Sequence, residues 1–332
     1  MALPLLILLM FSSISSMIPV SHSHRHLSLD YYAKTCPDFE RIMQEIITPK
    51  QIANPTTAAA TLRVFFHDCM VDGCDASVLV KPTNSNNTEL NQDINHSLSG
   101  DAFDVIVRAK TALEIACPNI VSCSDILATA TRHLIRQVGG PYYQVLLGRK
   151  DGFISNSSHV EESLTRSNTT MDKMIAAFTR KGFTIREMVA LLGGGHTIGF
   201  VHCTEFAPRI FNFSATSEVD PSMNPGFAAR LRTLCANYKT NPDMAAFMDP
   251  MSPGRFDNNL YLNLMRGLDI LPSDHLLITD SRTKAMVEEY ARDQNLFFAD
   301  FARAMEKVSV LGVKTGRRGE VRTNCFAFNT KA

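Results

Sequence analysis

The stretch RVFFHDC (residues 63–69) places a cation, an imidazole and a carboxylate among apolar side chains. The apolar spacing before and within it predicts a helix, with Asn54 as the N-cap and Pro55 as the first helical residue. Arg63 and His67 are one helical turn apart, so a helix places both side chains on the same face. We therefore expect a cation and a base to point into one cavity.

A second histidine follows a glycine run in GGGHTIG (residues 193–199). TIRE (residues 184–187) matches a capping box that opens a helix, and the glycines are expected to end that helix just before His196. A phosphate loop is the alternative, but the stretch lacks the G-x-G-x-x-G spacing and a Lys-Ser/Thr pair, and it ends a helix where such a loop would begin one. One histidine alone is more often a packed core residue, whereas two in specialised settings could face each other across a cofactor.

The first residues are typical of a secretory signal. An apolar run (residues 1–11) gives way to serines and small residues, although no Lys or Arg precedes the run. A membrane anchor is the alternative, but the run is shorter than the roughly 20 residues that a spanning helix needs, and no later segment is long enough. We predict a signal peptide over residues 1–26 and a secreted domain over residues 27–332.

Composition agrees with an extracellular globular protein. The 332 residues can bury a large core in one domain or two lobes, and the formal net charge of +0 gives no reason to expect nucleic acid as a partner. All eight cysteines follow the predicted signal, as expected for disulfides in an oxidising compartment. A zinc site at Cys69 and Cys74 is the alternative, but the second ligand pair is missing. Glycosylation sequons begin at Asn86, Asn95, Asn156, Asn168 and Asn212.

Helical periodicity dominates the chain, and Tyr290, Phe301 and Met305 continue it as core positions near the C-terminus. Strand signals are few, and residues 143–147 give the most plausible one. Residues 81–95 and 212–224 are rich in Asn, Ser, Pro and Thr and are expected to be surface loops. The pattern predicts an all-α fold with very little β-structure.

In their order along the chain, these motifs resemble the secreted plant-type (class III) haem peroxidases. The resemblance runs from LDYY (residues 29–32) to Cys325 and includes RVFFHDC, VDGCDAS (residues 71–77), GRKD (residues 148–151), GGHTIG and the Asp249-Pro250 pair. It implies a two-lobed fold with one haem b between a distal and a proximal lobe. It also implies a monomer outside the cell that reduces hydrogen peroxide and oxidises phenolic donors by one-electron steps, in cell-wall metabolism and peroxide removal.

The resemblance assigns roles on both faces of the haem. His196 matches the axial ligand of the iron and Asp274 matches its carboxylate partner, while Phe66 lies in the family's haem-contacting position. On the distal face, His67 matches the residue that carries the peroxide proton, and Arg63 matches the residue that stabilises charge on the breaking O–O bond.

A further pair orients the distal base. Asn95 matches the family's asparagine whose carbonyl holds the distal histidine, and Glu89 matches the glutamate to which that asparagine is tied. If Asn95 has this role it is buried, and its sequon is then not expected to be used.

The resemblance also implies two calcium ions. The distal set is Asp68, Val71, Gly73, Asp75 and Ser77. The proximal set is Thr197, Asp249, Ser252, Arg255 and Asp257. Without the resemblance, these aspartates and serines would be interpreted as turn formers.

The same family pattern selects one disulfide pairing. It joins Cys36 to Cys117, Cys69 to Cys74, Cys123 to Cys325 and Cys203 to Cys235. Departures from the family are Thr165 in place of a proline at the substrate-access edge, Gly193 in place of a common serine, and Ser252 in place of a threonine. Thr165 leaves the preference for reducing substrates open. A non-catalytic glycoprotein that binds wall polymers is the alternative function, and it would be favoured by loss of Arg63, His67 or His196, all of which are present.

Overall fold

The computed structural model describes residues 27–84, 87–98 and 100–329. The predicted signal peptide and the Asn86 sequon lie outside these residues. The described chain is mostly helical, as predicted. Its α-helices are α1 (Phe39–Ala53), α2 (Thr57–Val71), α3 (Asp93–His96), α4 (Gly100–Ala116), α5 (Cys123–Gln137), α6 (Val160–Ser163), α7 (Met171–Arg180), α8 (Ile185–His196), α9 (Cys203–Ile210), α10 (Pro225–Leu234), α11 (Asn259–Leu264), α12 (Pro272–Thr279), α13 (Lys284–Arg292) and α14 (Gln294–Val308).

Regular β-structure in the described residues is limited to one two-stranded sheet. Strands β1 (Phe200–His202) and β2 (Ala245–Phe247) pair antiparallel. The strand predicted at residues 143–147 was wrong, because this segment is extended but pairs only at Leu147, which forms an isolated bridge with Ser28. Three-residue strands carry too little alternation to be recognised in a sequence.

Helix α2 is central to the packing. It contacts α4, α5, α8 and α14. Its Val64 and Phe65 are fully buried in a main core that also contains Phe301 of α14. A smaller second core surrounds Phe206 and Phe227. The predicted core positions Tyr290, Phe301 and Met305 are buried accordingly.

Helix α2 begins later than predicted. Asn54 is the C-cap of α1, and the first residue of α2 is Thr57, whose backbone N–H donates to the Asn54 carbonyl at 3.0 Å. Asn54 and Pro55 therefore form the turn between two consecutive helices. Arg63 and His67 still lie within α2, as the spacing argument requires.

The start of α8 agrees with the prediction and its end does not. Thr184 and Glu187 form the capping box, with the Glu187 N–H donating to Thr184 Oγ1 at 3.2 Å. The helix then continues through the glycines, and His196 is its last residue. A Cβ at Gly193 would lie 1.9 Å from Tyr261 Oη, and one at Gly194 would lie 2.1 Å from the Phe301 ring. These glycines therefore permit close packing and do not end the helix.

The pairing implied by the resemblance is confirmed for all four disulfides, and no cysteine is free. The Cys123–Cys325 bond joins residues 202 positions apart. In the chain-entropy account, a loop of this length contributes about 5 kcal/mol before strain is subtracted. The GRKD motif supports the same junction, because the Asp151 carboxylate accepts hydrogen bonds from the backbone N–H groups of Ser124 (2.9 Å) and Arg322 (2.9 Å). None of the described helices is long and apolar enough to cross a membrane.

Candidate active site

His67 is the buried base of the distal side. Its Nδ1 lies 2.6 Å from Asn95 Oδ1, and the side-chain amide of Asn95 donates in turn to the backbone carbonyl of Glu89 at 2.8 Å. Since the amide oxygen can only accept, Nδ1 carries the proton and Nε2 keeps its lone pair. Burial and, to a smaller extent, the positive charge of Arg63 lower the pKa of His67 to about 3, although the bond to Asn95 opposes both effects. His67 is therefore a neutral, oriented base near pH 7.

The connection between Asn95 and Glu89 was predicted, and the structure makes it through the Glu89 backbone. Asn95 is buried, as expected if its sequon is not used, although residues 81–95 had been expected to form a surface loop. Within this segment, the buried Glu89 begins a short helical turn at Glu89–Asn91, and the buried Asn95 lies in helix α3. Of the other described sequons, Asn168 and Asn212 are exposed.

Arg63 is anchored next to His67. Its Nη2 donates to the Ile94 carbonyl (3.0 Å) and to Ser97 Oγ (3.1 Å), and its Nη1 donates to the Ser97 carbonyl (3.1 Å). These bonds tie the guanidinium to the segment that carries Asn95. Base, orienting amide and cation therefore form one hydrogen-bonded unit on α2 and α3.

The proximal side contains a second oriented imidazole. His196 Nδ1 lies 2.7 Å from Asp274 Oδ1, and the Asp274 side chain is only 3 % exposed. A carboxylate can only accept here, so Nδ1 is protonated and Nε2 is left with its lone pair. Burial lowers the pKa of His196, but the adjacent Asp274 carboxylate outweighs that effect, so the net change is upward. His196 is held as a potential metal ligand.

The two imidazoles lie on neighbouring helices, and the charge of one arginine acts on both. Helix α2 contacts α8, and the charge of Arg63 lowers the pKa of both His67 and His196. Past His196, Gly199 (φ 99°) brings the chain against α2, since a Cβ there would lie 2.9 Å from Ala59 Cβ. Next to His196, in contrast, a Cβ on Gly195 would meet no atom within 4 Å. Open space therefore lies at the end of α8.

Comparison with known proteins decides the family. The peroxidase family profile matches residues 40–293. The chain is 55 % identical over 304 residues to Peroxidase 41 of Arabidopsis thaliana (92 % of this chain, 91 % of the relative) and 57 % identical over 304 residues to Peroxidase 6 (92 % and 93 %). It is 51 % identical over 327 residues to Peroxidase 63 of the same plant (98 % and 97 %). The chain belongs to the peroxidase family. It is a plant peroxidase enzyme with the helical fold of that family, as the sequence motifs indicated.

Membership of this family implies a haem, and the residues around His67 and His196 fit one. Nε2 of His196 is available beside the open space at Gly195, and an oriented base and a cation lie on the facing helix. Phe66 is half-buried on the same helix and packs against Phe178, with ring centroids 6.0 Å apart. An iron ligand, a flat apolar wall and polar groups opposite the ligand are what haem requires of a peroxidase.

The predicted distal calcium set is brought together at the C-terminal end of α2. Asp68, Asp75 and Ser77 are all buried, and the Ser77 hydroxyl has no hydrogen-bond partner within the described ranges. Burial raises the pKa of Asp68, and the charge of Asp75 raises it further. The Val71 carbonyl accepts a bond from Lys181 Nζ at 2.6 Å and keeps a second lone pair, while Gly73 packs on Gly312. Two crowded carboxylates and an unpartnered hydroxyl fit a divalent cation, which would relieve their repulsion.

Glu89 adds a third carboxyl group beside this set. It is fully buried, and neither carboxyl oxygen has a hydrogen-bond partner in the part of the chain that the structure describes. Burial raises the pKa of Glu89 well above its usual value, and the charge of Asp68 adds to this effect. Glu89 therefore joins the distal acidic set to the backbone that holds Asn95.

The proximal set also converges. Ser252 Oγ lies 2.8 Å from Asp249 Oδ2 and 3.1 Å from Asp257 Oδ1, and Thr197 Oγ1 donates to the Asp257 carbonyl at 2.8 Å. The Arg255 side chain points outward, 72 % exposed, so only its carbonyl could act as a ligand. No group of three or more His, Cys, Asp or Glu side chains in the described residues has a metal-binding arrangement. Each predicted set instead combines two carboxylates with hydroxyls and backbone carbonyls, the oxygen ligands that suit calcium.

Sequence reasoning missed part of the site. Ser97 holds Arg63, and Glu205 of α9 lies close enough to Arg63 for its charge to oppose the lowering of the arginine pKa by burial. Neither residue belongs to a local motif that could have identified it. Thr165, predicted at the access edge, lies with Arg166 on the wall of a surface hollow of about 540 Å³.

Proposed function

We propose that this peroxidase binds haem b on His196, reduces hydrogen peroxide and oxidises small phenolic donors by successive one-electron steps outside the cell. The observation that carries the proposal is the pair of oriented imidazoles, each with its Nδ1 held by an acceptor and its Nε2 available. Haem, when bound, supplies the redox-active iron at which peroxide is reduced.

The distal residues would handle the protons. Neutral His67 would use its Nε2 to take a proton from hydrogen peroxide. It would then return that proton to the departing oxygen, which leaves as water. Arg63 would stabilise the charge that develops on that oxygen, because its guanidinium is fixed beside the base. Asn95 would keep the correct tautomer of His67 throughout.

The proximal residues would control the iron from the other side. His196 would bind it through Nε2, and the Asp274 carboxylate would increase the electron donation of the ring by accepting the Nδ1 proton. Phe66 would cover part of the haem face. The two calcium sets include the immediate neighbours of His67 and His196, so bound calcium would fix the ends of α2 and α8.

Several observations support the extracellular setting. Four disulfides are characteristic of an oxidising compartment, and exposed sequons are compatible with glycans. We propose roles in lignification, suberisation, stress response and peroxide removal, carried out by a monomer.

A stoichiometric assay tests this function. With limiting hydrogen peroxide and an excess of a simple phenol, each peroxide should consume two phenol molecules, give two phenoxyl radicals and form two molecules of water. A one-to-one stoichiometry would point to two-electron oxidation of the donor. No consumption by folded, haem-loaded protein would contradict the proposal.

Asn95→Ala should slow the peroxide step about tenfold to a hundredfold, less than removal of His67 itself, because Asn95 only orients the base. Rapid mixing with peroxide, followed by absorbance, measures the rate. Asn95→Asp is the matched variant, because a carboxylate still accepts from Nδ1 and should recover part of the rate. A loss equal to that of His67→Ala would assign the proton transfer to a different network.

Thr165→Pro should change the apparent affinity for aromatic donors and leave the peroxide step unchanged, because Thr165 lies on the hollow wall and not beside His67. Two rate constants measured on the same protein separate the steps. If the peroxide step moved as much as the donor step, Thr165 would belong to the distal network. Thr169→Pro on the same wall serves as the comparison.

A further inference from the structure

Residues 161–167 form a strap between the distal and proximal sides of the cavity. At one end, Gln92 Nε2 donates to Glu161 Oε2 at 2.9 Å, three residues before Asn95. At the other end, the Ser273 N–H donates to the Ser167 carbonyl at 2.9 Å, next to Asp274. The strap therefore crosses from the segment that holds His67 to the segment that holds His196. Its border toward Arg63 is marked by Ser167, which bonds a carboxylate whose charge acts on Arg63.

One carboxylate is held at this border. Ser167 Oγ donates to Glu205 Oε2 at 2.7 Å. The charge of this carboxylate acts to raise the pKa of both Arg63 and Arg166. Glu205 is exposed, and it forms no ion pair with any cation among the described residues. Its negative charge is thus fixed by the strap without being neutralised.

The other charges of the strap are largely paired. Arg166 contacts both oxygens of Glu161, at 3.2 and 2.9 Å, so this pair contributes little net charge. Asp93, whose side chain is 81 % exposed, adds a further negative charge to the field at Arg166. The surface hollow beside the strap has a different balance of charges, because Lys173 and Arg180 also line it. Among the described residues, the carboxylate without an ion pair on the strap side is therefore Glu205, next to the cation Arg63, whereas the surface hollow has three cations, Arg166, Lys173 and Arg180, against two carboxylates, Glu161 and Glu162.

We propose that Glu205 determines donor specificity by favouring uncharged and cationic phenols over phenols that carry a carboxylate. The proposal rests on the proposed function, because it concerns the donors of that reaction. A fixed charge acts on a charged ligand a few ångströms away even at a hydrated surface, and the effect has opposite signs for cations and anions. It leaves uncharged donors nearly unaffected.

A matched set of donors tests the proposal. Tyrosol, tyramine and 4-hydroxyphenylacetate share one phenol ring and carry no charge, a positive charge and a negative charge. Donor rate constants are measured for wild type, Glu205→Gln, Ser167→Ala and, as a control, Glu218→Gln, which removes a carboxylate paired with Arg232 on α10. Equilibrium dissociation constants of the same phenols are measured by calorimetry on holoenzyme without peroxide.

Wild type should prefer tyramine to 4-hydroxyphenylacetate, and Glu205→Gln should reduce that ratio about tenfold, with tyrosol unchanged. The preference should weaken as salt is added, since exposed charges are screened. Ser167→Ala should give a smaller change of the same sign, and Glu218→Gln should give none. An equal change for all three phenols in Glu205→Gln, or no change, would overturn the proposal. A wild-type preference for the carboxylate that Lys173→Gln abolishes would overturn it too, by placing donors in the hollow.

A failure of the proposed function can be distinguished from a failure of the proposal for Glu205. If holoenzyme does not react with peroxide, the rate constants vanish for every donor, while the calorimetric preference for the cationic phenol still reports on Glu205.

Discussion

His67→Ala is expected to slow the reaction with hydrogen peroxide by a factor on the order of a thousand or more, while haem stays bound. The variant loses the proton acceptor, and the side-chain oxygen of Asn95 loses its imidazole partner. Haem retention is expected because His196 and Asp274 are untouched. Stopped-flow absorbance in the Soret region measures the rate, and the resting spectrum measures haem content.

His159→Ala is the matched control for this substitution. His159 is a surface histidine whose Nδ1 lies 2.8 Å from Asp72 Oδ2, so its removal deletes an imidazole and an ion pair away from the cavity. Its peroxide rate should equal that of wild type. A near wild-type rate in His67→Ala would show that the base of this enzyme is another group.

The residues of the proposed catalytic site could be selected from the sequence because each belongs to a short motif with a strong local requirement. Arg63 and His67 share a helix face whatever the exact start of the helix, so misplacing that start by two residues changed nothing in the site. The end of α8, in contrast, could not be predicted from a local motif. Glycines ordinarily end helices, but here Tyr261 and Phe301 occupy the space of their missing side chains, and such contacts come from distant parts of the chain.

Contacts at long range also explain what the sequence did not reveal. Ser97 and Glu205 reach Arg63 from different segments, and their positions depend on how α3 and α9 are placed by the two cores. The disulfide pairing followed from the family pattern and not from spacing, because cysteines in sequence leave many pairings open. Strands β1 and β2 are too short to leave a periodic signal, and they come from separate parts of the chain.

Removal of calcium is expected to lower activity about a hundredfold and to lower the melting temperature in the same sample. Without the ion, Asp68 and Asp75 repel each other inside the protein, and the ends of α2 and α8 lose a fixed contact. A shift of about 1 Å in a catalytic group can cost a hundredfold in rate, and loss of a ligand that binds the native state lowers stability. Activity, melting temperature and elemental analysis are measured before and after prolonged chelation.

Calcium should restore both properties and magnesium should not, because magnesium requires a smaller octahedral site. Asp68→Asn should resemble the chelated protein, whereas Asp72→Asn, at a partly exposed aspartate outside the predicted set, should resemble wild type. Full activity and an unchanged melting temperature in protein shown to be free of metal would mean that these aspartates only form turns.

The most direct test of the account is the visible spectrum of the purified protein during a titration with hydrogen peroxide. Wild type should show a Soret band that shifts at about one equivalent of peroxide and returns when a phenol is added. His196→Ala, folded but without its iron ligand, should lack the normal band and its response. Folded wild-type protein that holds no haem, or haem that does not respond to peroxide, would contradict the assignment of His67 and His196 to a peroxidase centre.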